Sequence, residues 1–174
     1  MSVDAGSKIV GSTLERLEGL RRTALTNLPV VRVAAFNVLS DVVSGIRKVL
    51  DLAKTVESAS GLVSTGVKKV CGNWIIVKES DKVALIKHKP LRAVSVNVKE
   101  SVVSVANDEL RIEVEPASIR IRFRGKELII EPLSVEGINS KVQEIKSIAR
   151  YMLALIDELT TTLNACRKSL PLTA

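Results

Sequence analysis

The feature that most constrains this chain is a change of hydrophobic period. Apolar residues recur every three to five positions at the start, every second position through the middle, and every three or four positions again near the end. A period near 3.6 belongs to a helix buried along one stripe, and a period of two to a strand buried on one face. Alone, then, the pattern predicts helices, then a sheet, then a helix, which is an α+β order.

The helical pattern runs from 7 to 59. Ile9, Leu14, Leu17, Leu20 and Leu25 mark a first helix, with Ser12 and Glu15 at capping-box spacing. Leu28-Pro29 interrupts it, because proline lacks an N–H and pushes its predecessor toward extended backbone. A second helix is expected from Pro29 to Glu57. Its stripe of Ala35, Leu39, Val42, Ile46, Val49, Ala53 and Val56 is widened by Phe36, Val43 and Leu50, which implies burial against more than one neighbour. Residues 58–66 turn to Ser, Gly and Thr and read as a linker.

The segment 67–133 reads as an antiparallel meander of six to seven short β-branched strands. They are expected at 74–78, 83–87, 93–99, 102–106, 110–114, 119–123 and 128–131, separated by turn residues. Connections this short cannot make parallel crossovers. Beyond it, 134–168 reads as one long helix, starting between Ser134 and Ser140, with Ser140 and Gln143 as a second capping-box pair. Ile138, Val142, Ile145, Ala149, Met152, Ile156, Leu159 and Leu163 form a sustained heptad seam. Leu153 and Leu155 flank it, so the stripe is wider than a two-stranded coiled coil requires and suits a helix packed on the sheet. The whole chain is expected to form a single α+β domain. A long helix across a curved antiparallel sheet resembles the helix-grip architecture, and the helix–strands–helix order resembles prefoldin-like chaperones. The missing N-terminal strand departs from the first, and Pro29 with the long meander from the second, so neither supplies site residues.

Composition narrows the chemistry. The 174 residues include one histidine, two cysteines and 2% aromatics, while the formal charge is +7. Multi-ligand Cys/His zinc sites, most histidine acid–base chemistry, base-stacking surfaces and aromatic ligand cages are thereby disfavoured. His88 stands between lysines, which repel a cation, and reads as an exposed strand end. Gly61 to Lys69 looks superficially like a phosphate-binding loop, but Val67 follows the second glycine where lysine is required. Asp108-Glu109 and Glu113 with Glu115 read as solvated acids able to pair with neighbouring arginines. No cofactor is implied, and the chain is expected to be no enzyme.

No signal peptide or membrane span is expected, since charges cut every apolar run, which places the protein in the cytoplasm. There, Cys71 and Cys166, far apart in sequence, are expected as unpaired thiols. The single glutamine and the Val, Ile, Lys and Glu content are compatible with a thermophilic source.

Two partner classes follow. The heptad seam and the apolar second helix lead to an assembly protein that forms homo-oligomers through Ile138, Val142, Ile145, Met152, Ile156, Leu159 and Leu163. Alternatively, basic residues of the meander contact nucleic acid without sequence specificity: Lys68, Lys69, Lys87, Lys89 and Arg92 in one group, Arg120, Arg122, Arg124 and Lys126 in another. Alternate strand residues share a face, so the three arginines would form a ridge with a pitch of about 6.6–6.8 Å, near the phosphate spacing of one strand. The same charge could meet an acidic protein or a membrane surface. An apolar-ligand carrier of helix-on-sheet type is a further reading, and it needs a cavity between helix and sheet.

Overall fold

Helix-period segments bracket the period-two segment in the structure as they do in the sequence. The structure, a computed structural model, describes residues 5–26, 33–60, 66–88, 91–116, 118–131 and 134–165. The elements are α1 (Ala5–Thr26), α2 (Val33–Ser60), β1 (Gly66–Cys71), β2 (Trp74–Glu79), β3 (Lys82–Lys87), β4 (Arg92–Asn97), β5 (Val102–Asn107), β6 (Leu110–Glu115), β7 (Ser118–Phe123), β8 (Lys126–Ile130), α3 (Val135–Asn139) and α4 (Val142–Ala165). The first described helical stretch ends at Thr26 and the next begins at Val33. Leu28 and Pro29, on which the expected break falls, lie outside the described residues.

The strands form one antiparallel meander in which each pairs with its neighbour in sequence, in the order β1 to β8. Directly opposed residues share a face, so the register sorts the side chains. Ile76, Leu85, Val94, Val105, Ile112, Ile121 and Leu128 make one continuous row toward the helices. The first six of these are buried. At about 25 cal/mol per Å² of apolar area removed from water, such rows supply the main drive for laying helices on the sheet. α1 and α2 rest on this face, and α4 packs against α2 while also reaching β5 and β6. Ile9, Leu17, Val42, Ile46, Val49, Ala53 and Val56 are buried in the same core.

Several expectations need correction. Among the described residues the sheet has eight strands, because β1 precedes the first strand expected at 74–78; it pairs with β2 through a register shift between Lys69 and Cys71. Six residues with two adjacent lysines at a sheet edge do not show the alternation that marks the later strands. α1 starts at Ala5, so Ser12 is a mid-helix residue, and its hydroxyl donates to the Pro116 carbonyl instead of capping. The cap comes from another helix: the Glu57 carboxylate, 5% exposed, accepts the Gly6 N–H at 3.0 Å and the Ser7 N–H at 3.1 Å. These are donors that a helix start leaves without partners, and they favour negative charge. A Cβ at Gly6 would lie 2.9 Å from Glu57 Oε1 and from Val96 Cγ2, so only glycine lets α1 sit this close.

The C-terminal segment is two helices. The Ser134 hydroxyl accepts from the Gly137 N–H and caps α3, while the Ser140 hydroxyl donates back to the Gly137 carbonyl and closes it. Thus Ser140 does not open α4 through a capping box with Gln143. Cys71 is disulfide-bonded, not a free thiol. Separation along the chain does not decide pairing, which needs only that the fold bring two Cα atoms within about 7 Å. Cys166, the other cysteine, lies outside the described residues. No described helix is long and apolar enough to cross a membrane.

Candidate functional site

The heptad seam is turned inward. Ile138, Ile145, Met152, Ile156, Leu159 and Leu163 are all buried within one chain, and Val142 is half-buried. Leu155 and Ile148 join them, which is why the apolar stripe is broader than a two-stranded seam. At the crossing with α2, Gly45 is small enough for a Cβ built on it to stand 3.4 Å from Leu153 and 3.6 Å from Ile156. These side chains therefore face α2 and the sheet and offer little surface to a second copy.

The basic residues do not form one surface. Lys87 and Arg92 oppose each other on the helix-facing side, in the row that begins at Trp74. Arg92 is held by Glu158 of α4 at 2.8 Å, with Asp108 at 3.8 Å. Arg120 and Arg122 lie on the opposite side of the sheet, since they alternate with the buried Ile119 and Ile121. Arg120 stands opposite Glu113, and Arg122 pairs with Glu127 at 3.0 Å. Lys68 and Lys69 of β1 pair in register with Ile76 and Ile75 of β2, and Lys89 is outside the described residues.

The arginine ridge also ends early. Arg124 and Gly125 have φ values of 50° and 80°, the left-handed pair of a two-residue hairpin turn of type I′. This turn takes Arg124 out of the strand's alternation. Its guanidinium lies 4.7 Å from the Phe123 ring centre and 5.5 Å from that of Tyr151, with Glu109 at 3.7 Å.

That contact identifies a site the sequence does not advertise. Phe123, opposite Lys126 on the helix-facing side, meets Tyr151 of α4 with ring centres 4.8 Å apart and tilted by 33°. Arg150 lies over the other ring at 5.1 Å. Such pairs contribute about 0.5–1.5 kcal/mol beyond area burial, and each exposed cation over a ring about 0.5–1 kcal/mol. Beside them, the space between α4 and the β7–β8 hairpin opens into a groove of about 560 Å³. Ile121, Leu128 and Ile148 supply apolar lining, Phe123 and Tyr151 the aromatic wall, and Lys126 and Lys141 cationic tips. Glu127 and Glu144 also line it, but Glu127 is already neutralised by Arg122.

His88 is exposed at the end of β3. Among the described residues no group of three or more His, Cys, Asp or Glu side chains is placed to hold a metal ion. Comparison with protein-family models, with curated proteins and with solved structures finds no match to the chain. The groove must be read from its own chemistry.

Proposed function

We propose that this is a non-enzymatic binding protein whose groove between α4 and the β7–β8 hairpin holds a small ligand with an apolar or aromatic body and an acidic group. The observation that carries this reading is the groove itself: about 560 Å³ with apolar lining and an aromatic wall backed by two guanidinium groups. Its size falls within the range of roughly 300–1,000 Å³ typical of small-molecule pockets, and a few convergent polar groups in an apolar lining are what orient such ligands. The Lys126 and Lys141 ammonium groups complement an acid, while the rings accept a flat or aliphatic body. The seam residues are buried inside the chain, so they lend no support to self-association through them.

Anilinonaphthalene sulfonate, an aromatic body with a fixed negative charge, is a direct probe. Its fluorescence is expected to rise with the folded protein and to fall when a fatty acid or an aromatic carboxylate competes. Ser147→Trp fills the groove from an exposed helix position, so it should abolish the signal at an unchanged thermal midpoint. Dye binding that survives this substitution would locate the dye elsewhere and refute the proposal.

A further inference from the structure

On the side of the sheet away from the helices, Ala106, Arg111, Arg122 and Glu127 stand in one row across β5 to β8. Arg111 and Arg122 are thus directly opposed like charges, an arrangement that costs stability unless something neutralises it. Glu127 neutralises Arg122 at 3.0 Å. Arg111 is exposed and, among the described residues, makes no ion pair and no side-chain hydrogen bond. Around these two arginines, the tips of the β5–β6 and β7–β8 hairpins enclose a notch of about 290 Å³. Arg124 and Lys126 also border it, with the Arg124 guanidinium turned to the helix side over the Phe123 ring. The acids in its wall are each met by a cation, Asp108 by Arg92, Glu109 by Arg124 and Glu127 by Arg122, which leaves Arg111 as the unmatched charge.

We propose that this notch is a binding site for a compact tetrahedral oxyanion, a phosphate group that is free or carried on a small molecule, held by Arg111 and Arg122. A guanidinium presents its donors in a planar fork that matches phosphate oxygens two at a time, and two opposed forks can grip one anion from both sides. The bound anion replaces the repulsion between the arginines with two attractions. The acids in the wall select against a long polyanion, which would have to lay successive charges across them. A single phosphate fits between the hairpin tips without doing so. This site is separate from the groove on the helix side and does not depend on the reading given to it, although Lys126 and Glu127 border both.

The test is calorimetric titration with inorganic phosphate, run against chloride at matched ionic strength, on the wild type and on Arg111→Gln, Arg111→Glu and Arg122→Gln. The wild type should bind phosphate in preference to chloride, and each variant should lose affinity roughly tenfold or more, the scale of a lost hydrogen bond between charged groups. Thermal unfolding without phosphate supplies the opposite sign: Arg111→Gln should unfold no lower than the wild type, and Arg111→Glu higher, because repulsion across the strands becomes attraction. Lys82→Gln, exposed on β3, should change neither reading. A small phosphomonoester that binds like inorganic phosphate extends the site to carried phosphate, and one that fails confines it to the free ion. Equal binding of phosphate and chloride, or affinity kept in both Arg111 variants, would overturn the proposal. So would a single-stranded oligonucleotide that binds through Arg111 more tightly than phosphate, since that assigns the arginines to a polyanion.

Discussion

The C-terminal half of α4 lies against α2, with Leu155, Ile156, Leu159 and Leu163 all buried, whereas its N-terminal half borders an open groove beside Ile148 and Tyr151. The apolar spacing is the same along both halves. What differs is the facing element: α2 brings Gly45 and a continuous stripe to the first, while the β7–β8 hairpin ends in a turn that leaves a groove along the flank of the second. The seam is thus core along both halves, Ile145 and Met152 included, and it is the flanking Ile148 and Tyr151 that come to border a groove where the facing element stops short.

The same truncation on the two halves should expose this difference. Ile156→Ala, fully buried, leaves a cavity the helices cannot collapse, and a loss of about 3–4 kcal/mol is expected in denaturant unfolding. Glu57→Ala follows at about 2–3 kcal/mol, because the Gly6 and Ser7 N–H groups keep their burial and lose their acceptor. Ile148→Ala, at the groove margin, should cost only about 1–2 kcal/mol, since the space it leaves joins one already open. Equal losses at Ile148 and Ile156 would mean that the two halves are packed alike. Gly45→Ala is expected to stabilise by about 0.5–1 kcal/mol: helix propensity improves, and contacts at 3.4 and 3.6 Å need little adjustment. The smallest effect belongs to Lys48→Ala, which removes a half-exposed ion pair with Asp157 between α2 and α4 and should cost under about 0.5 kcal/mol.

Most of the architecture was legible in the sequence, because period and turn residues are local signals. Ile112 and Val114 alternating with Arg111, Glu113 and Glu115 predict β6 with its inward face, and the structure keeps that face. β1 was missed since its two adjacent lysines break alternation, and the α3–α4 boundary because Ser140 fits a cap in sequence while its hydroxyl is used backward. The site was less legible. Phe123 and Tyr151 are each ordinary in their own elements, and their meeting depends on where α4 crosses the hairpin. The opposition of Arg111 to Arg122 likewise needs the register between β6 and β7. Glu57 left one local trace, an acid directly after Val56 of the buried stripe. Its partner, however, is a helix start fifty residues earlier in sequence.

The meander has a kinetic consequence. Each strand pairs only with its predecessor and successor, so the sheet can form by short loop closures, one hairpin after another. The distant encounters are those that bring α1 to β6, across Thr13 and the Glu115 carbonyl, and α2 to α4. Closing those long loops carries the larger entropic cost, so helix docking is expected to be the slow step, with the eight strands as the template onto which both ends of the chain settle.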